Sequence, residues 1–150
     1  MTRFEVVTAI SAPPPRVFDL SLEVGIHTAS MSASGERVIG GVSSGQMKLG
    51  DTVTWQATHF GLRWRMTSGI TVHNPPGHFV DEQVSGPFKR WYHAHYFEPD
   101  GSGGTVMRDV IDFTAPLGPL GRIAERLVLN RYMPTLIRTR NNHLKAAAEG

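Results

Sequence analysis

The chain has no cysteine among its 150 residues. That excludes a disulfide framework, thiolate chemistry and any cysteine-ligated zinc or iron–sulfur centre, leaving histidine and carboxylate as the available metal ligands. Long apolar runs are missing too: nothing approaches the roughly 20 residues of a membrane-spanning helix. Met1 to Thr8 carries Glu5 and no apolar stretch of a secretion signal. A cytoplasmic location without an integral membrane segment is therefore expected. Charge is sparse, at 19% Asp, Glu, Lys and Arg with a net +2, too little to argue for a nucleic-acid partner. Phosphate-cradling glycine loops, Gly-x-Ser-x-Gly elbows, His-Glu-x-x-His and calcium loops are absent.

What is present is enough apolar residue, 40%, for folding by burial; a domain of this length buries about 70% of its unfolded surface. No repeat or linker divides residues 1–150, which read as a single domain. Phe4, Val6, Thr8 and Ile10 alternate as in a half-buried strand, and Pro13-Pro14-Pro15 stops it. A short helix carrying Val17, Phe18 and Leu20 to Leu22 should follow and end at Gly25, with a second short helix or flap over His27–Ser34. Six strand-like segments come next: 36–40, 51–59, 62–73, 79–84, 88–98 and 105–113. Turn signals at Phe60-Gly61, Asn74 to Gly77, Ser85 to Pro87 and Asp100 to Gly104 make neighbouring strands antiparallel. Ile123, Leu127, Met133, Leu136, Ile137 and Leu144 recur near helical spacing, predicting a long amphipathic terminal helix with a kink or widening at Pro134. Arg122, Arg126, Arg131, Arg138, Arg140 and Lys145 read as its solvated basic face. The fold class is α+β: a curved antiparallel sheet wrapped around one helix, with two short helices after the first strand.

In the segment 88–98, Trp91, His93, His95 and Phe97 share one strand face, and the aromatics mark that face as interior. Two buried imidazoles need partners. Asp81 on the preceding strand and Asp109 on the following one can supply them, Asp109 falling opposite His93 if the hairpin turns near Gly101. Three chemistries fit: a satisfied structural network, polar anchors or acid–base groups for a ligand, and a metal held by His93, His95 and a carboxylate. Trp55, Trp64, Met31, Met66 and Phe79 are core or pocket lining, and Arg63 and Arg65 belong to an outer, solvated face.

Several segments together resemble the START-like, or SRPBCC, helix-grip superfamily, which includes polyketide cyclases/dehydrases and lipid-transfer domains. They are Ile10 to Pro13 with Val17-Phe18, Leu49 to Trp55, Phe79 to Asp81 with Gly86 to Phe88, Trp91 to Phe97, Gly104-Thr105 with Asp109, and Pro116 to Gly118. Within the superfamily the chain is similar to an uncharacterised bacterial branch. The resemblance implies seven antiparallel strands around the long helix and a deep cavity for hydrophobic ligands. The expected function is binding of a small hydrophobic or aromatic metabolite, with Phe79, Trp91, Trp55, Trp64, Met66 and Met31 giving contact area and Asp81, His93 and His95 fixing polar atoms. One alternative is a cofactor-independent cyclase or dehydratase in which His93, His95 and Asp109 carry the acid–base work; another is a non-catalytic interaction module. No cofactor or metal is implied, and the chain is expected to be a monomer or homodimer.

Overall fold

The computed structural model describes residues 2–150. Strand β1 (Thr2–Ile10) buries Val6 and Ile10 on the face the alternation assigns. It is followed by α1 (Pro14–Ser21) and α2 (Val24–Ser30). Prolines occupy the first turn of α1, where a missing N–H costs nothing, and Val17, Phe18 and Ser21 are its buried side. Gly25 does not end this helix, as the sequence suggested, but sits inside α2. The stop falls at Leu22, where the Leu22 N–H bonds back to the Asp19 carbonyl and the Glu23 N–H to that of Leu20. A short 3-10 turn, Ser32–Ser34, closes on Gly35 in the left-handed region.

Strands β2 (Arg37–Gly41), β3 (Thr52–His59), β4 (Leu62–Asn74), β5 (His78–Ser85), β6 (Arg90–Pro99) and β7 (Thr105–Thr114) complete the expected set. They form one antiparallel sheet of seven strands in the order β1-β7-β6-β5-β4-β3-β2. The Phe60-Gly61 turn between β3 and β4 has positive φ at both residues, the tight hairpin whose twist matches its strands.

The terminal helix runs as α3 (Gly118–Ala124), a π-helical segment Glu125–Leu129, and α4 (Asn130–Glu149). The widening expected at Pro134 lies one turn earlier, ending where Asn130 begins. Pro134 leaves the Asn130 carbonyl without its usual donor, and the adjoining turn carries the distortion. Met133, Ile137, Arg140, Asn141, Leu144 and Ala148 form the buried stripe of α4. By contrast, Ile123 and Leu127, expected in that stripe, are 54% and 70% exposed. They belong to the segment before α4, which the sheet does not cover. Arg16 locks the far end, donating from Nε to the Ala148 carbonyl at 2.8 Å, as a cation suits a helix C-terminus.

Two apolar clusters knit sheet to helices. One joins Phe18, Phe79, Phe97, Met107 and Leu144; the other joins Trp91, Ile111, Phe113, Met133 and Ile137.

Candidate ligand site

Alternation along β6 sends Trp91, His93, His95 and Phe97 inward, and all four are buried. The sheet's curvature keeps these side chains from filling the space beneath α4, and a cavity of about 590 Å³ remains, within the usual range for small-molecule pockets. Met31, Trp55, Trp64, Met66, Phe79, Asp81, Trp91, His93 and His95 all line it. Asp109 does not: it is completely buried behind the histidines. Trp64 stands at the mouth, 36% exposed, its indole N–H donating to the His59 carbonyl. Phe60, Leu117, Leu120 and Val128 also combine exposure with cavity contact, so the rim is apolar.

The hairpin register differs by two residues from the one expected: Asp109 pairs with His95, not His93, and Asp81 pairs with His93. The side chains nevertheless lean diagonally. His93 Nε2–H donates to Asp109 Oδ1 at 2.7 Å, and His95 Nε2–H donates to Asp81 Oδ2 at 2.6 Å. The imidazoles stack with centroids 3.7 Å apart and planes 21° from parallel, and Phe79 covers the other face of His95 at 4.0 Å. Each remaining ring nitrogen faces the other carboxylate, His95 Nδ1 lying 3.3 Å from Asp109 Oδ1 and His93 Nδ1 3.8 Å from Asp81 Oδ2.

Two further groups reach this cluster from α4. Arg140 Nη1 donates to Asp109 Oδ1 at 3.3 Å, and the Asn141 amide donates to Asp109 Oδ2 at 2.7 Å. Burial would raise the Asp109 carboxyl, but the hydrogen bond from His93, the close His95 ring and the Arg140 charge hold it well below the usual range. Burial opposes ionisation of Asp81 too, yet the histidines and Arg140 bring it to about 2. For His93 burial wins, aided by the neighbouring His95, over both aspartates, and its pKa falls to about 4. At neutral pH His93 is an uncharged acceptor with its tautomer fixed by Asp109.

Donor atoms of Asp81, His93 and His95 lie within 4.8 Å of one another. An imidazole binds a metal ion in its ring plane at about 2.0–2.1 Å. Two rings stacked 3.7 Å apart cannot share one ion in both planes unless one turns away from its carboxylate. The observed rotamers build a hydrogen-bonded network.

The sequence reading missed Arg140 and Asn141. Arg140 is not on the solvated face but 6% exposed; its spacing from Ile137 and Leu144 was the available signal. It also missed a second polar group on the cavity wall, formed by His27, Glu36, His59 and Tyr132.

Comparison with known proteins agrees with this architecture. The family model described as polyketide cyclase / dehydrase and lipid transport matches residues 1–149, and the chain belongs to that family, within the START-like SRPBCC superfamily. Among solved structures, it is similar to the Zhui aromatase/cyclase from Streptomyces sp. R1128, with a TM-score of 0.79 at 14% identity over 99% of this chain and 93% of that one. TTHA0849 from Thermus thermophilus gives a TM-score of 0.75 at 16% identity, covering 98% and 99%. The major latex-like protein 151 from Panax ginseng gives 0.66 at 14%, covering 99% and 98%. At these identities the likeness establishes the fold. No curated protein matches the sequence.

Proposed function

We propose that the protein binds a small hydrophobic or aromatic metabolite between the sheet and the terminal helix. The observation that carries this is an open cavity whose wall is apolar apart from a few convergent polar side chains. Desolvation supplies the affinity, at about 25 cal/mol per Å² of apolar surface before the costs of ordering. Asp81, His93 and His95 orient the ligand's polar atoms, while Asp109, tied to Arg140 and Asn141, holds His93 from behind. Native mass spectrometry after gentle purification should show a bound or acquired hydrophobic compound; a protein that takes up none contradicts the proposal.

A second reading is cyclisation or dehydration of a polyketide-like carbonyl compound, favoured by the imidazole pair facing the cavity between two carboxylates. In it His93 takes or returns the proton and Asp109 fixes its tautomer. A pKa of about 4 makes His93 a weak base at neutral pH, where general bases work best near the ambient pH. Binding therefore ranks first. His93→Ala separates the two: loss of turnover with ligand affinity kept within about tenfold, or 1.4 kcal/mol, supports catalysis, and absence of any turnover in the wild type removes it.

A further inference from the structure

The cavity has a second polar pole, remote from the imidazole pair. Glu36 stands just ahead of β2, and β2 lies three strands from β5, which carries Asp81. Three strand spacings along the curved sheet therefore separate the two poles, which stand at different ends of the cavity. The Glu36 side chain is only 11% exposed, and its Oε2 lies 2.8 Å from His27 Nδ1. Both atoms are buried, and among the described residues this contact is the polar neighbour each has, without the alignment of a hydrogen bond. His27 is held by stacking on Trp55, centroids 4.3 Å apart, and Trp55 is fixed in turn by its N–H bond to Ser68. Across the cavity, His59 bonds through Nδ1 to the Tyr132 hydroxyl. Burial lowers the His59 pKa while the Glu36 charge pulls it up, so the field of Glu36 extends toward this pair. The Glu36 carboxylate is taken out of water with one imidazole contact and no aligned donor, so a ligand hydroxyl that donates to it recovers part of the cost of its burial.

We propose that Glu36 and His27 form a second ligand subsite that takes a hydroxyl group at the end of the ligand distant from His93. This deepens the binding function proposed above and rests on it. A hydroxyl fits better than an ammonium group, because it donates to Glu36 and accepts from the histidine without bringing a second charge out of water. The spacing of the poles calls for an elongated, rigid ligand with polar atoms at both ends.

Calorimetric titration of anthraquinone, 2-hydroxyanthraquinone and 2,6-dihydroxyanthraquinone into wild type, Glu36→Leu and Glu36→Gln tests this. In wild type the dihydroxy compound should bind at least about tenfold more tightly than the monohydroxy one. Glu36→Leu should reduce that advantage to less than about twofold. Glu36→Gln, which keeps the acceptor and the shape of the side chain, should retain part of the advantage and guards against a folding defect in the leucine variant. If anthraquinone binds but the second hydroxyl brings no advantage, or if the advantage survives in Glu36→Leu, the subsite is refuted and the pole is filled by water or by the His27 contact alone. If none of the three binds the wild type, the cavity function falls and the subsite with it.

Discussion

His93 is buried between two carboxylates yet holds its proton poorly, since burial and the stacked His95 outweigh both aspartates. The unfolded chain binds a proton below about 6.5, whereas the folded protein resists it down to about 4. Its contribution to stability is therefore complete above pH 6.5, declines as the pH falls toward 4, and levels off below that. At about 1.4 kcal/mol per unit the loss is about 3 kcal/mol. Urea unfolding at pH 7, 5.5 and 4 should show this decline in wild type and a shallower one in His93→Gln; equal declines would contradict it. Asp81 has the opposite sign: its carboxyl is held at about 2 against 3.8, so its contribution is present above 3.8 and is lost only as the pH falls through about 2. Arg140→Met should cost about 3 kcal/mol, because it leaves the Asp109 carboxylate buried with less compensation. Adding Asp109→Asn should recover part of that loss in a double-mutant cycle. The inward histidines were legible from strand alternation alone. The His93–Asp109 bond was also expected, though through a register two residues off, because the imidazole reaches diagonally to the next pair. Arg140 was hidden because its charge argued for solvent more strongly than its spacing argued for the core.

Elements were most legible where short turns and alternation coincide, and all seven strands lie close to their expected places. They were least legible where periodicity gives a face but not what lies beneath it. Ile123 and Leu127 have helical spacing but stand on the part of the helix beyond the sheet's cover. Gly121 explains how that segment leaves β7: a Cβ there would collide with the Pro116 carbonyl oxygen. Nearby, Glu125 Oε1 accepts the Ala115 N–H, tying the π segment to the end of β7. Gly121→Ala should displace α3, lowering stability by about 1–3 kcal/mol as overpacking does. A denaturant midpoint unchanged from wild type would show that the close approach is not needed.

For the whole molecule, the fold class and family resemblance followed from the order of elements and a handful of short segments, whereas the cavity's size and its second pole did not. Those depend on how far the sheet curls and on which residues from α2, the approach to β2, β3 and α4 meet across it, and no local pattern encodes that distance. Filling the space tests its role. Ala57 lines the cavity from β3, and Ala57→Phe should weaken anthraquinone binding at least about tenfold while lowering stability by less than about 1.5 kcal/mol, since the added ring enters unoccupied volume. Similar affinity in the variant would place the bound molecule elsewhere.

Binding in this cavity requires that the ligand enter beside the stacked imidazoles. Nitrogen-detected NMR of the histidine rings, followed while 2-hydroxyanthraquinone is added, addresses it most directly. The His93 and His95 resonances should shift together and saturate at one ligand per chain, while that of His143, on the outer side of α4, stays in place. Saturable binding that leaves both inner histidines unmoved would contradict it.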